Sequence, residues 1–179
     1  MSISTGTGDK GNTSLFDGTK ISKNSKTISA VGIADELNAI LGLVLSKHSS
    51  EKLEIVQHEL FIVGSDIATP SNSQHEHRTK RIQKRHTERL ETELKSLEEN
   101  VGPLKGFVIP GGNEVSSLLH VARTTTRKLE RATVKNLDER EINVELIKYL
   151  NRLSDYLFMY ALNHNRENEI KEKNVDFEI

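Results

Sequence analysis

From Ala30 onward, apolar residues recur at steps of three and four, and that spacing limits the chain to helices. Ala30, Ile33, Ala34, Leu37, Ile40, Leu41, Val44 and Leu45 form one stripe on a helix of about five turns. A second stripe, Leu53, Val56, Leu60, Val63, Gly64 and Ile67, stops before Thr69-Pro70. Ser71 to His77 is polar and predicts a connection. Thr79 to Glu99 is mostly charged, with Ile82, Leu90, Leu94 and Leu97 on a narrow face, so it reads as a solvated helix or one whose other faces meet a partner. Val101 to Leu104 ends it. Gly106 to Gly112 is a short apolar run closed by a turn signal, and two more helices are predicted from Glu114 to Leu137 and from Asn143 to Asn165.

Before about Ser29 the chain is rich in Gly, Ser, Thr, Asn and Lys, which predicts an ordered loop or a short hairpin. The last dozen residues are charged and are expected to fray. With no internal repeat, the pattern predicts one all-α domain over residues 1–179: an N-terminal loop (1–28), a helical bundle (29–165) and a charged tail (166–179). The expected fold is a five-helix up-and-down bundle with a ferritin-like twist.

The chain has 179 residues and only 35% apolar side chains, with 4% aromatic and no Trp, a thin core for a monomer that makes burial between subunits reasonable. Its charges, 28% of residues with a net of −1, mix both signs, unlike the one-sided basic field of a general nucleic-acid binder. There is no Cys, which removes disulfides, thiolate catalysis and iron–sulfur clusters, so any electron must come from elsewhere. There is no run of 18 apolar residues and no signal-peptide pattern, so no membrane partner and a cytoplasmic location are expected.

Four constellations carry candidate chemistry. Thr5-Gly6-Thr7-Gly8-Asp9-Lys10-Gly11-Asn12-Thr13-Ser14 combines glycines, hydroxyls and a lysine, the composition of a phosphate cradle, with Lys20, Lys23 and Lys26 just downstream. It lacks Walker A spacing, and a flexible terminus would have the same composition. Arg123, Arg127 and Arg131 are four residues apart, with Lys128 and Glu130 among them. Three such guanidinium groups on one face suit a triphosphate, or a surface stripe paired with carboxylates of a neighbouring helix. Asp35, in Asp35-Glu36-Leu37-Asn38, is read as lying near a helix start, where it either favours the helix dipole or pairs with one of the arginines. Asn151-Arg152-Leu153-Ser154-Asp155 sits in an apolar helix, so its polar groups need partners, either in a site or in an inter-helix network. No Glu has a His three residues later, against a di-iron bundle; His75, His77 and His86 are expected to be solvated, and His58 and His120 to lie at the core edge.

In order and spacing, Thr7 to Gly11, Gly32 to Asn38, Gly64 to Pro70, Phe107 to Gly112, His120 to Arg131 and Tyr149 to Asp155 resemble the PduO-type ATP:corrinoid adenosyltransferases, known from propanediol-utilisation operons. The resemblance spans nearly the whole chain. It implies a bundle that assembles as a homotrimer, with each active site between two subunits, transferring the 5′-deoxyadenosyl group of ATP to Co(I) of a reduced corrinoid. It further implies nucleotide contacts at Thr5, Gly6, Thr7, Gly8, Asp9, Lys10, Thr13, Ser14, Lys23, Arg127, Lys128, Glu130, Arg131 and Asn151. Asp35 would pair with Arg123 across the interface, and Phe107 would occupy the space of the corrinoid's lower axial ligand. Mg²⁺ would ride on the triphosphate without direct protein ligands; an external reductase and an adenosylcobalamin-dependent enzyme would be partners.

The chemistry asks for no protein nucleophile: Co(I) attacks the 5′ carbon, and the triphosphate leaves against concentrated positive charge. Two positions depart from the family pattern. Gly6 stands where Arg or Lys is usual, and Lys128 where Arg is common, keeping charge but losing the bidentate fork. Gly6 keeps open a second reading, an ATP- and adenosylcobalamin-binding sensor or delivery chaperone with little turnover.

Overall fold

A computed structural model of the chain describes residues 6–15, 18–69, 73, 76–136 and 141–178; Thr5 and His75, with the expectations attached to them, lie outside these. Among the described residues a short antiparallel hairpin, β1 (Asn12–Ser14) and β2 (Lys20–Ser22), precedes five helices. These are α1 (Lys26–Leu45), α2 (Glu51–Ala68), α3 (Lys84–Val101), α4 (Glu114–Val134) and α5 (Val144–Glu167). Helix α1 packs on α2 and α4, α4 on α5, and α5 on α3. The predicted stripes become the core: Leu37, Leu41, Leu53, Leu90, Leu119, Leu129, Leu150 and Leu153 are fully buried. By length and composition α1 has the character of a membrane span, but its Ala30, Leu37, Leu41 and Val44 are covered by the bundle.

Caps set the helix starts, and they correct two readings. Ser25 caps α1, its Oγ accepting from Ile28 N at 3.2 Å, so the helix begins before Ser29 and Asp35 lies in its middle. The helix dipole, which acts over the first turn, therefore does not explain Asp35. Helix α3 begins at Lys84, after an extended stretch pinned by the buried Asp66. That carboxylate accepts from Arg81 Nη1 (2.8 Å), Ile82 N (2.9 Å) and Asn143 Nδ2 (2.8 Å). His86 turns back on the start of α3, its Nδ1 accepting from Gln83 N at 2.8 Å, and is buried where solvation was expected. His58 is exposed, off the core edge, whereas His120 is buried.

Two further corrections bear on the site. The C-terminal segment does not fray: Val108 bridges Asn174, Ile109 N donates to Lys173 O and Val175 N to Phe107 O, both at 2.8 Å. The tail is thus an edge partner of the Phe107 loop. The bundle core also holds an ionic network with no periodic signature. Arg89 bonds Glu59 (2.6 Å) and Glu93 (2.7 Å), and Tyr149 Oη donates to Glu59 Oε2 at 2.7 Å. Burial opposes the charge of Arg89, yet the two carboxylates outweigh it and raise the guanidinium pKa.

Candidate functional site

The hairpin, α1 and α2 enclose a cleft of about 630 Å³. Thr13 and Ser14 from β1, Lys23 after β2, and Asp35 and Asn38 from α1 line it, with Phe61 of α2 at its rim. Phe61 is 73% exposed, a large apolar side chain left uncovered beside polar groups. The glycine loop folds on itself and is tied to Lys23, which lines the cleft. Asp9 N donates to Gly6 O and Gly11 N to Gly8 O, both at 3.3 Å, and Lys23 N donates to Gly11 O at 2.9 Å. The Lys23 ammonium lies so close over Gly8 that a Cβ there would come within 3.0 Å of Nζ. The predicted loop and Lys23 therefore meet, beside a cleft that the hydroxyls of Thr13 and Ser14 and the Lys23 charge line together.

A second cleft, of about 680 Å³, opens between the Phe107 loop, α4 and α5. Phe107, Arg123, Arg127, Ser154, Asp155 and Phe158 line it. Phe107 is 74% exposed, its ring edge-on to Phe177 of the tail at 6.3 Å. Arg123 is half-buried, lies 5.7 Å from the Phe158 ring centroid, and has no carboxylate partner among the described residues. Burial first, and then the Arg127 charge, lower its pKa. Two like charges thus stand together with no carboxylate partner among the described residues, an arrangement suited to an anion. His120, one turn before Arg123, has neither ring nitrogen hydrogen-bonded, and its pKa is pushed down to about 4 by burial and then by Arg123.

The remaining predicted residues stand apart. Lys128 is exposed and bonds Glu36 of α1 at 2.8 Å, a pairing of the kind the sequence reading kept open as carboxylates of a neighbouring helix. Arg131 is exposed at the end of the same face. Asn151 is exposed as well, correcting the expectation of a deeply set group, and donates to Glu130 Oε1 at 3.3 Å. Ser154 is the buried polar member of that motif, its Oγ donating to Asn151 O at 2.9 Å. Within one chain Asp35 and Arg123 line different clefts and do not meet. Phe61 and Phe158 line the clefts without having been singled out, because an apolar residue at helical spacing reads as core.

Comparison with known proteins gives one family. The family model for cobalamin adenosyltransferase matches residues 3–164. A corrinoid adenosyltransferase of Bacillus subtilis is 38% identical over 169 residues, covering 90% of this chain and 85% of that protein. The corrinoid adenosyltransferase PduO of Salmonella typhimurium is 36% identical over 183 residues, covering all of this chain and 54% of its own length. Among solved structures, a phenylalanine-to-histidine variant of a PduO-type ATP:corrinoid adenosyltransferase from Lactobacillus reuteri, complexed with cobalamin and ATP, superposes with a TM-score of 0.92. It is 35% identical and covers 98% of this chain and 97% of its own. An arginine-to-lysine variant from the same organism, complexed with ATP, gives 0.90 at 36% identity, covering 97% and 100% of the two chains.

Proposed function

The chain belongs to the cobalamin adenosyltransferase family, and on that premise we propose how its own residues divide the work of moving the 5′-deoxyadenosyl group of ATP to the cobalt of a reduced corrinoid. One observation carries the reading. The molecule presents two separate half-sites, one of glycines, hydroxyls and Lys23 with Asp35, the other of Arg123, Arg127 and Phe107. Each lacks what the other offers. Among the described residues Asp35 has no cationic partner and Arg123 no carboxylate, which suits a homotrimer in which Asp35 of one subunit pairs with Arg123 of the next.

In that assembly the loop from Thr5 to Lys10, with Thr13, Ser14 and Lys23, holds the nucleotide from one side, and Arg127, Lys128, Glu130, Arg131 and Asn151 hold it from the other. Arginine forks bind phosphate oxygens two at a time, and their charge stabilises the leaving triphosphate. Mg²⁺ fits as a companion of that triphosphate. The hydroxyls of Thr13 and Ser14 are hard donors suited to such an ion or to the phosphates themselves. Phe107 keeps a lower ligand away from cobalt, which makes Co(I) accessible. The reducing electron comes from an external reductase in the cytoplasm, and the product passes to an adenosylcobalamin-dependent enzyme.

The delivery reading rested on Gly6. Gly6 has φ +67°, a left-handed turn that favours glycine, so the backbone gives a reason for this residue apart from any loss of turnover. Two measurements test the proposal. Purified protein with ATP, Mg²⁺ and chemically reduced cobalamin should develop the absorbance of a cobalt–carbon bond. Mixed oligomers of Lys23→Ala and Arg127→Ala, each defective alone, should regain part of that activity; no regain would place both half-sites in one subunit.

A further inference from the structure

Phe107 is mostly exposed, so its own contacts do not fix its position. The loop that carries it is held from beneath by Asn165, a residue outside both clefts with no exposed surface. The Asn165 carboxamide nitrogen donates to Gly111 O at 3.0 Å and to Glu172 Oε1 at 2.9 Å, and its oxygen accepts from Ser116 Oγ. Its backbone oxygen accepts from Ile170 N at 2.9 Å, which turns the chain out of α5 into the tail. One side chain thus joins three elements: the turn after the Phe107 loop, the first turn of α4, and the tail whose Lys173 and Val175 bond the loop at Ile109 and Phe107.

Gly112 completes the arrangement. It adopts φ +120°, and a Cβ there would enter the space of the Asn165 carboxamide. The glycine is needed both for its backbone angle and for this close approach. A buried amide with all its polar atoms bonded is a rigid support, since releasing any partner leaves an unsatisfied group in the interior.

We propose that Asn165 is the positioning residue of the corrin side: it sets the height and angle of Phe107 over the cobalt by clamping Gly111 and the Glu172 segment together. This rests on the reading of Phe107 given above. Small displacements of a group that must stand at one distance from a reacting centre cost large factors in rate.

The test uses the full-length protein and three readouts: turnover at saturating ATP, KM for the corrinoid, and ATP binding by calorimetry. Asn165→Ala and Glu172→Ala should each lower kcat by about tenfold or more and raise the corrinoid KM, while the ATP Kd moves by less than about twofold. Glu172→Gln keeps the accepting oxygen and should restore activity. In a Phe107→Ala background, Asn165→Ala and Glu172→Ala should add little further loss, because both act through the same ring.

If Asn165→Ala does not fold, the exposed-side Glu172 pair carries the test alone. Unchanged turnover in Glu172→Ala, equal loss in the alanine and glutamine variants, full additivity with Phe107→Ala, or a parallel loss of ATP binding would each overturn the proposal. Wild-type turnover in Phe107→Ala itself would overturn instead the role given to Phe107.

Discussion

The Arg123 guanidinium faces the Phe158 ring at 5.7 Å, with its Nε buried and unbonded. Such a stack is worth about 1 kcal/mol when partly exposed, enough to select a rotamer and too little to neutralise a charge. The ring therefore aims the guanidinium and leaves its outer nitrogens for a carboxylate or a phosphate. Burial and Arg127 already disfavour the charge of Arg123, so this stretch of α4 gains when an anion arrives.

Replacing Arg123 by Lys keeps a charge but loses both the planar stack and the fork. Arg123→Lys should lower kcat/KM by roughly tenfold or more, and Phe158→Leu should give a smaller loss of the same kind. Steady-state adenosylation at matched subunit concentrations checks both. Equal activity of Arg123→Lys and wild type would show that a point charge suffices there.

Gly6→Arg would restore the charge usual in the family at a left-handed position. The backbone penalty is roughly 1 kcal/mol for a residue with a Cβ, although the nearest atom to that Cβ, Asp9 Oδ2, lies at a tolerable 3.5 Å. The two effects oppose each other. ATP affinity should change by less than about fivefold, with the loop more mobile by hydrogen exchange. A tenfold gain in affinity would mean that charge, and not the turn, governs this residue.

How much of this was legible in the sequence depends on the kind of signal. Helical stripes announce core residues such as Leu37 and Leu153 because burial follows period, and the spacing of Arg123, Arg127 and Arg131 announces one face. Caps were harder to read. Ser25 and Ser29 are both good helix starters, and choosing the later one displaced Asp35 toward the terminus. The tail was misread because Lys171 to Glu178 is polar in composition, whereas its order comes from backbone bonds to Phe107 and Ile109 that no side-chain pattern encodes. The Glu59–Arg89 network and the Asn165 hub were invisible for a related reason: charged and amide residues signal burial only through partners far away in sequence.

That network makes a stability prediction with a defined sign. Glu59 is 5% exposed, and Arg89→Ala would leave its carboxylate buried without a guanidinium. The expected cost is about 3 kcal/mol. The double variant Glu59→Gln, Arg89→Met should be less destabilised than Arg89→Ala, because the deeply buried charge at Glu59 is gone and only the half-buried Glu93 is left without its guanidinium. Urea unfolding at neutral pH measures both. A single variant within 0.5 kcal/mol of wild type, roughly the effect of a surface change, would show the network to be well hydrated.

His120 should contribute to the loss of stability in acid. In the folded protein its pKa is pushed down to about 4 by burial and then by the Arg123 charge, against an ordinary value near 6.5. The unfolded chain therefore binds the extra proton first as pH falls. Stability due to the neutral imidazole is fully present above about 6.5 and is lost progressively as pH drops through about 4. His164, lowered by burial and then by His48, works in the same direction. His120→Gln keeps polar atoms near Arg123 but removes the titration. It should flatten the decline in urea midpoint between pH 7 and pH 5 while costing stability at neutral pH, with a difference in slope worth roughly 1 to 2 kcal/mol over that range. An unchanged slope would mean that the acid sensitivity lies with His164 or with the carboxylates. Because His120 stands one helical turn from Arg123, the same variant should alter activity at low pH more than at neutral pH only if protonation there repels the guanidinium.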